Sequence, residues 1–328
     1  MDKPQEEMQE LGFFGIYKES IKTILSLKKI FTKITLAFIL PMSFIFLFHF
    51  VIARIIDWKI DRDEERAYNS NVENEHLYRK ISSEWIWYWI FKIIYLSFLL
   101  LFSLLTTAAV VYTIADTYLG NEVTFNKVVK VVPKVWKRLA LTFLWTYFGF
   151  FIYNVVAGVV FLIWETTTTF STFGVVMFYV ILAIYLVGFI YITALWQLAS
   201  VVTVLESSYG LRAMIKGNEL IKGKRWLSWF VFFVLHGIFL GILILFFVLA
   251  WDGFLGVLVG IVCVFLLMNL FLLGYVCTTM LYFVCKSYHC EAIDMIGLSS
   301  QLGGYLGEFE PASKQDIQLG QSHPQVQV

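Results

Sequence analysis

The sequence predicts an all-α polytopic membrane protein. Six transmembrane helices are expected, arranged as three repeats of a basic amphipathic interfacial helix followed by a helical hairpin. Three observations carry this. The 328 residues are 59% hydrophobic and only 15% charged, against roughly a quarter charged in soluble domains. Six apolar stretches reach the roughly 20 residues a helix needs to cross the hydrocarbon core. Between them the cations recur at helical spacing.

The spans are Ile34 to Ala53, Trp85 to Ala115, Leu139 to Trp164, Phe173 to Leu205, Leu227 to Trp251 and Phe254 to Val284. The odd ones have 20, 26 and 25 residues and the even ones 31, 33 and 31. That alternation is the first sign of an internal repeat. The second is that each even span ends in a charge and then a hydroxyl–tyrosine pair: Asp116 before Thr117-Tyr118, Glu206 before Ser208-Tyr209, Lys286 before Ser287-Tyr288. The only charged side chain inside a span is Lys92, which can snorkel outward beside Trp85, Trp87, Tyr88 and Trp89. These features divide the chain into a disordered tail over 1–11, one membrane domain over 12–297 and a disordered cytosolic tail over 298–328. Within the domain the repeats cover about 12–115, 116–205 and 206–290.

The basic segments are the candidate functional elements. "KVVKVVPKVWKRL" sets Lys127, Lys130, Lys134, Lys137 and Arg138 on one stripe of a helix, with Val128, Val131, Val132, Val135 and Leu139 mostly on the other side. This pattern predicts a helix lying on the bilayer surface, with a kink or a start near Pro133. Lys18, Lys22, Lys29 and Lys33 form the first such segment. Arg212, Lys216, Lys222, Lys224 and Arg225 form the third, interrupted by Gly217 and Gly223. With the other N-terminal lysines, Lys286 and Lys314, one side carries 18 of the 25 cations. The positive-inside rule therefore puts both termini in the cytosol, in an endoplasmic reticulum, endomembrane or plasma membrane location. The loop from Arg54 to Glu84, on the other side, mixes six cations with eight acids and reads as solvated helical extensions or a mobile loop.

Several chemistries are excluded. A net charge of +1 gives no global attraction to nucleic acid. "GNELIKGKRW" has the wrong glycine spacing for a phosphate loop, and "CKSYHC" lacks two of the four ligands zinc wants. No catalytic residue, metal or cofactor is expected. Cys285 and Cys290, at the membrane boundary, are candidates for palmitoylation. The intramembrane polar residues His49, Asn154, Gln197, His236 and Asn269 each stand in a different span, Ser43, Ser97 and Ser103 add hydroxyls in the first two, and none is acidic. They read as interhelical hydrogen bonds.

Two stretches, "DTYLGNEVTFNKVVKVVPKVWKRL" and "ESSYGLRAMIKGNELIKGKRW", carry a resemblance. The chain resembles an uncharacterised plant family of six-span transmembrane proteins. More distantly, it is similar to the membrane domain of bacterial glycerophosphodiester phosphodiesterases. The resemblance implies no catalytic residue, because the phosphodiesterase barrel is absent. The expectation is a non-enzymatic protein that engages the cytosolic lipid surface, anionic by charge complementarity, or a protein partner, through its basic helices. The alternative is a transporter or channel for a small solute through the centre of the bundle.

Overall fold

The computed structural model describes residues 9–69, 75–167, 172–250, 253–289, 299 and 302–305. Among them there is no strand. Helix α1 is Phe13–Ser26 and α2 is Lys28–Ile34. A π turn, Thr35–Ile39, joins α2 to α3, Leu40–Asn69. Pro41 explains its place: the proline ring crowds the carbonyl four residues back, at Ala37, and a widened turn relieves that clash. Then follow α4, Glu75–Tyr118; α5, Phe125–Thr167; α6, Thr172–Leu205; α7, Leu211–Ile221; α8, Arg225–Leu249; and α9, Gly253–Tyr288. Six helices are long and apolar enough to cross a membrane.

Two expectations on helix boundaries are corrected. The basic segment around Pro133 is not a separate surface helix: it forms the first turns of α5, which runs through the proline without a break. The bond lost at Pro133 frees the carbonyl of Val129, and both residues are exposed, so that carbonyl is open to the surroundings and not buried unpaired. The contrast between short odd and long even helices holds for α3 and α4, with 30 and 44 residues, and for α8 and α9, with 25 and 36, but is reversed in the second pair, where α5 has 43 and α6 has 34. The basic segment lengthens α5. The charged C-terminal end of α3 and N-terminal end of α4 do extend as helices, held by Lys80 and Arg66 on Asp63 at 2.6 and 3.2 Å and by Lys59 on Glu84 at 2.8 Å.

The core sits at one end of the molecule. The last turns of α4, α6 and α9 pack on one another and are buried all round, over Thr106–Asp116, Leu198–Leu205 and Val276–Cys285. These runs are rich in Ala, Thr, Val and Cys, whose small or compact side chains let helices approach closely. Their threonines are satisfied locally: Thr107, Thr113, Thr203 and Thr279 each donate to the carbonyl four residues back at 2.7–2.9 Å. Around this trio, α3 packs on α4 and α9, α5 on α4 and α6, and α8 on α6 and α9. The opposite halves are open. In the most apolar windows of α5 and α6, only 6% of residues are buried.

The C-terminal segment contributes to the core. Leu302 is 2% exposed, and the Tyr305 hydroxyl meets α5 and α6. The stretch expected to be a loose tail from 298 is therefore docked at these two residues. The region around 306–328 lies outside the described residues, as does 1–8.

Candidate functional site

The basic segments converge on the packed end. Helix α1 docks on α9 and α8, with the Tyr17 hydroxyl donating to the Val231 carbonyl at 2.8 Å. Its exposure departs from that of a soluble amphipathic helix: Ile16 is buried as expected, but polar side chains are buried beside it. Glu19, Ser20 and Thr23 face the protein, while Phe14, Ile21 and Leu25 are 83%, 48% and 65% exposed. Lys18 and Lys22 share that outward face. On α7, Ala213, Gly217 and Leu220 face inward, and Leu211, Arg212 and Ile215 outward. Gly217 lies against the Ala199 backbone: a Cβ added there would sit 3.4 Å from the Ala199 nitrogen. A methyl there would just make contact with the α6 backbone, so the position leaves little room for side chains beyond alanine.

The face of α5 expected to meet lipid does not. Val128, Val131, Val132 and Val135 are 0–3% exposed and packed in the protein core, and Leu139 continues the row. Trp136, at 44%, stays outside. Of the cations singled out, Lys18, Lys22, Lys29, Lys33, Lys130, Lys134, Lys137, Arg212, Lys222 and Arg225 are exposed. Lys127 is partly covered, 3.5 Å from the Glu122 carbonyl.

Three others turn inward and are corrected from surface to structural groups. Arg138 donates to the Glu206 carbonyl at 2.7 Å and to the Tyr305 hydroxyl at 3.0 Å. Lys224 donates to the Gln9 carbonyl at 3.1 Å and lies 5.2 Å from the centre of the Tyr288 ring. Lys216 pairs with Glu206 Oε2 at 2.6 Å.

Glu206 is the hub. Its Oε1 accepts from the Tyr282 hydroxyl at 2.6 Å and from Lys286 Nζ at 3.0 Å. Burial pushes the Glu206 carboxyl upward, but hydrogen bonds from Lys216, Tyr282 and Lys286 outweigh it and hold the pKa below the ordinary carboxylate range. One carboxylate thus ties α6, α7 and α9 together, and its backbone carbonyl adds α5. A second polar cluster lies beside it, where Thr142 meets Thr203 at 2.9 Å and accepts from the Gly210 N–H at 2.8 Å. Gly210 has φ +63°, a conformation that favours glycine in the turn closing α6.

Cys285 is fully buried, so its thiol does not reach a lipid surface, and the palmitoylation expectation is corrected there. Cys290 lies outside the described residues. The intramembrane polar residues behave as expected at four places. Lys92 donates to His49 at 2.9 Å, Tyr185 to Asn154 at 3.1 Å and Thr278 to Gln197 at 2.8 Å, and Ser103 meets Tyr275 at 3.1 Å. Lys92 therefore does not simply snorkel. Ser97, His236 and Asn269 instead donate to carbonyls of their own helices, and Ser43 is buried with no partner.

These features define a polytopic helical protein with six candidate spans, whose packed end is knitted by ion pairs and edged with cations. The chain belongs to the family described as domain of unknown function DUF8558, whose model matches residues 1–322. No curated protein and no solved structure matches it.

Proposed function

We propose that the protein is a non-enzymatic membrane scaffold, multi-pass and with both termini cytosolic, whose packed end sits on an anionic lipid surface. The observation that carries this reading is the outward apolar face of α1. A helix that buries Glu19, Ser20 and Thr23 and exposes Phe14, Ile21 and Leu25 matches a surround that is apolar just below a charged layer. Lys18, Lys22, Lys29 and Lys33 then meet the headgroups, each contributing about 1 kcal/mol near an anionic surface. The sequence split of 18 cations against 7 supports a cytosolic packed end. The packing order, in which each of α3, α5 and α8 lies between two of α4, α6 and α9, favours three repeated hairpins around a threefold axis. That likeness of units also agrees with the resemblance to plant six-span proteins and the phosphodiesterase membrane domain.

A transporter path through the trio of α4, α6 and α9 is the lesser reading. Thr107, Thr113, Thr203 and Thr279 bond their own helices, so these hydroxyls are already engaged.

The test is binding of the purified protein to liposomes containing phosphatidylserine. Changing Lys18, Lys22, Lys29 and Lys33 to Gln is expected to weaken binding at low salt, with the difference shrinking as salt rises. Changing Lys59, Arg62 and Arg66, at the opposite end, is expected to leave it unchanged. Equal binding by parent and α1–α2 variant sinks the proposal.

A further inference from the structure

The opposite end holds a feature the scaffold reading does not use. A cleft of about 440 Å³ opens between α3, α4 and α8. Its apolar side is Phe50 and Ala53 of α3 and Phe247 of α8. Arg54 and Lys92 supply cations, and Asp57 and Asp61 supply acids, while Trp58 forms a wall. The α3 residues recur at steps of three and four, so one face of α3 presents them all.

The depth of the cleft is legible from its neighbours. Trp85, Trp87 and Trp89 are 40%, 64% and 60% exposed, as an aromatic belt at the interface requires. Lys92 lies one to two turns along α4 from them, towards the bilayer centre. It is fixed there by His49 Nε2 at 2.9 Å and lies 4.9 Å from the Tyr88 ring centre. A cation held inside a span is costly, and such groups mark ligand or ion sites. Nearby ion pairs use other acids: Asp63 takes Lys80 and Arg66, and Glu84 takes Lys59. Asp57 and Asp61 line the cleft instead.

We propose that this cleft binds the headgroup of a zwitterionic phospholipid from the leaflet opposite the packed end. The phosphate sits on Lys92 and Arg54, and the ammonium on Asp57 and Asp61. Two cations beside two acids match a headgroup that carries both signs, whereas a purely anionic headgroup meets repulsion from the acids. The acyl chains follow Phe247 onto its exposed neighbours Ile244 and Val248 on α8. That apolar continuation selects a lipid over a free phosphoamine.

The test is lipid retention by the purified full-length protein in native mass spectrometry, with phosphatidylcholine, phosphatidylglycerol and soluble phosphocholine as probes. The parent is expected to retain phosphatidylcholine over phosphatidylglycerol and to ignore phosphocholine. Asp57→Asn with Asp61→Asn is expected to cut phosphatidylcholine retention about tenfold, as loss of a charge-assisted contact does, and to raise phosphatidylglycerol retention. Arg54→Gln, at an exposed position, is expected to lower both and serves if the double variant fails to fold. Equal retention of the two lipids by the parent overturns the proposal. So does unchanged phosphatidylcholine retention in either variant, or phosphocholine binding as tight as the lipid's.

Discussion

Lys286 Nζ stands 3.0 Å from Glu206 Oε1, joining the ends of α9 and α6. The two residues close long helices at matching points of their sequence. Their side chains are 15% and 11% exposed, so the pair is largely out of water. Removing Lys286 takes away one of three side-chain donors to the carboxylate, since Lys216 and Tyr282 remain. Lys286→Met is expected to cost about 1.5–3 kcal/mol, as loss of a hydrogen bond to a charged group does, read as a lowered melting temperature in detergent. The double variant with Glu206→Gln is expected to lose less than the sum of the singles, which a double-mutant cycle measures.

The same carboxylate sets an acid limit. Glu206 has its folded pKa lowered from an ordinary value of 4.5. Its contribution to stability is therefore full above that ordinary value and is lost as pH falls through the lower, folded one. Thermal stability of the parent is expected to drop on acidification below about pH 4.5. The Glu206→Gln variant, less stable at neutral pH, is expected to show a flatter acid limb. Parallel pH profiles for the two proteins contradict this.

Gly223 has φ +95°, and a Cβ built on it falls 2.2 Å from Tyr288 Cε1. Both the backbone and the neighbour therefore resist substitution. Gly223→Ala is expected to destabilise by about 2 kcal/mol. Pairing it with Tyr288→Ala, which removes the clash but not the strain, is expected to recover part of that loss. A Gly223→Ala protein as stable as the parent refutes both causes.

Cys285 is buried to 0% exposure. Acyl-exchange labelling of cells expressing Cys285→Ser is expected to match the parent. A labelling signal that vanishes in this variant shows that the thiol becomes accessible.

The outward face of α1 gives a depth prediction. Nitroxide labels at positions 14, 21 and 25, replacing Phe14, Ile21 and Leu25, are expected to exchange with oxygen in lipid. A label at Lys29 is expected to sense water-borne relaxers. Uniform water exposure at all four positions removes the case for an interfacial helix.

Much of this architecture was readable from the residues alone. Span length and charge exclusion are local properties, so the six apolar helices followed from counting. The mixed-charge loop after Ala53 was legible only as helical extension or a mobile loop, and the ion pairs on Asp63 and Glu84 that favour helix there join residues far apart in sequence. What periodicity could not distinguish was which medium covers an apolar stripe. Val128, Val131 and Val135 show the spacing a lipid-facing helix would show, yet α2, α4 and α7 pack on that helix. The inward turn of Arg138, Lys216 and Lys224 escaped for a related reason: a cation at the membrane edge looks alike in sequence whether it meets water, lipid or a carboxylate. Glu206 carried one signal that went unused: it and Lys286, opposite in sign, occupy like positions after two long spans, an opposition that could have suggested a pair.

The uneven packing of α5 and α6 has a mechanical consequence. Near Thr142 and Thr203 the two helices are fixed by the rest of the protein, but from Phe148 and through Val187 they lean mainly on each other. Tyr153 donating to the Tyr185 carbonyl at 2.7 Å locks them as a unit. They form a stiff lever clamped at one end, whose free arm is pressed only by acyl chains. A thicker or more ordered bilayer straightens such an arm and a thinner one tilts it. Because the arm is rooted beside Glu206, any change in its angle would load the ion pairs at the packed end first.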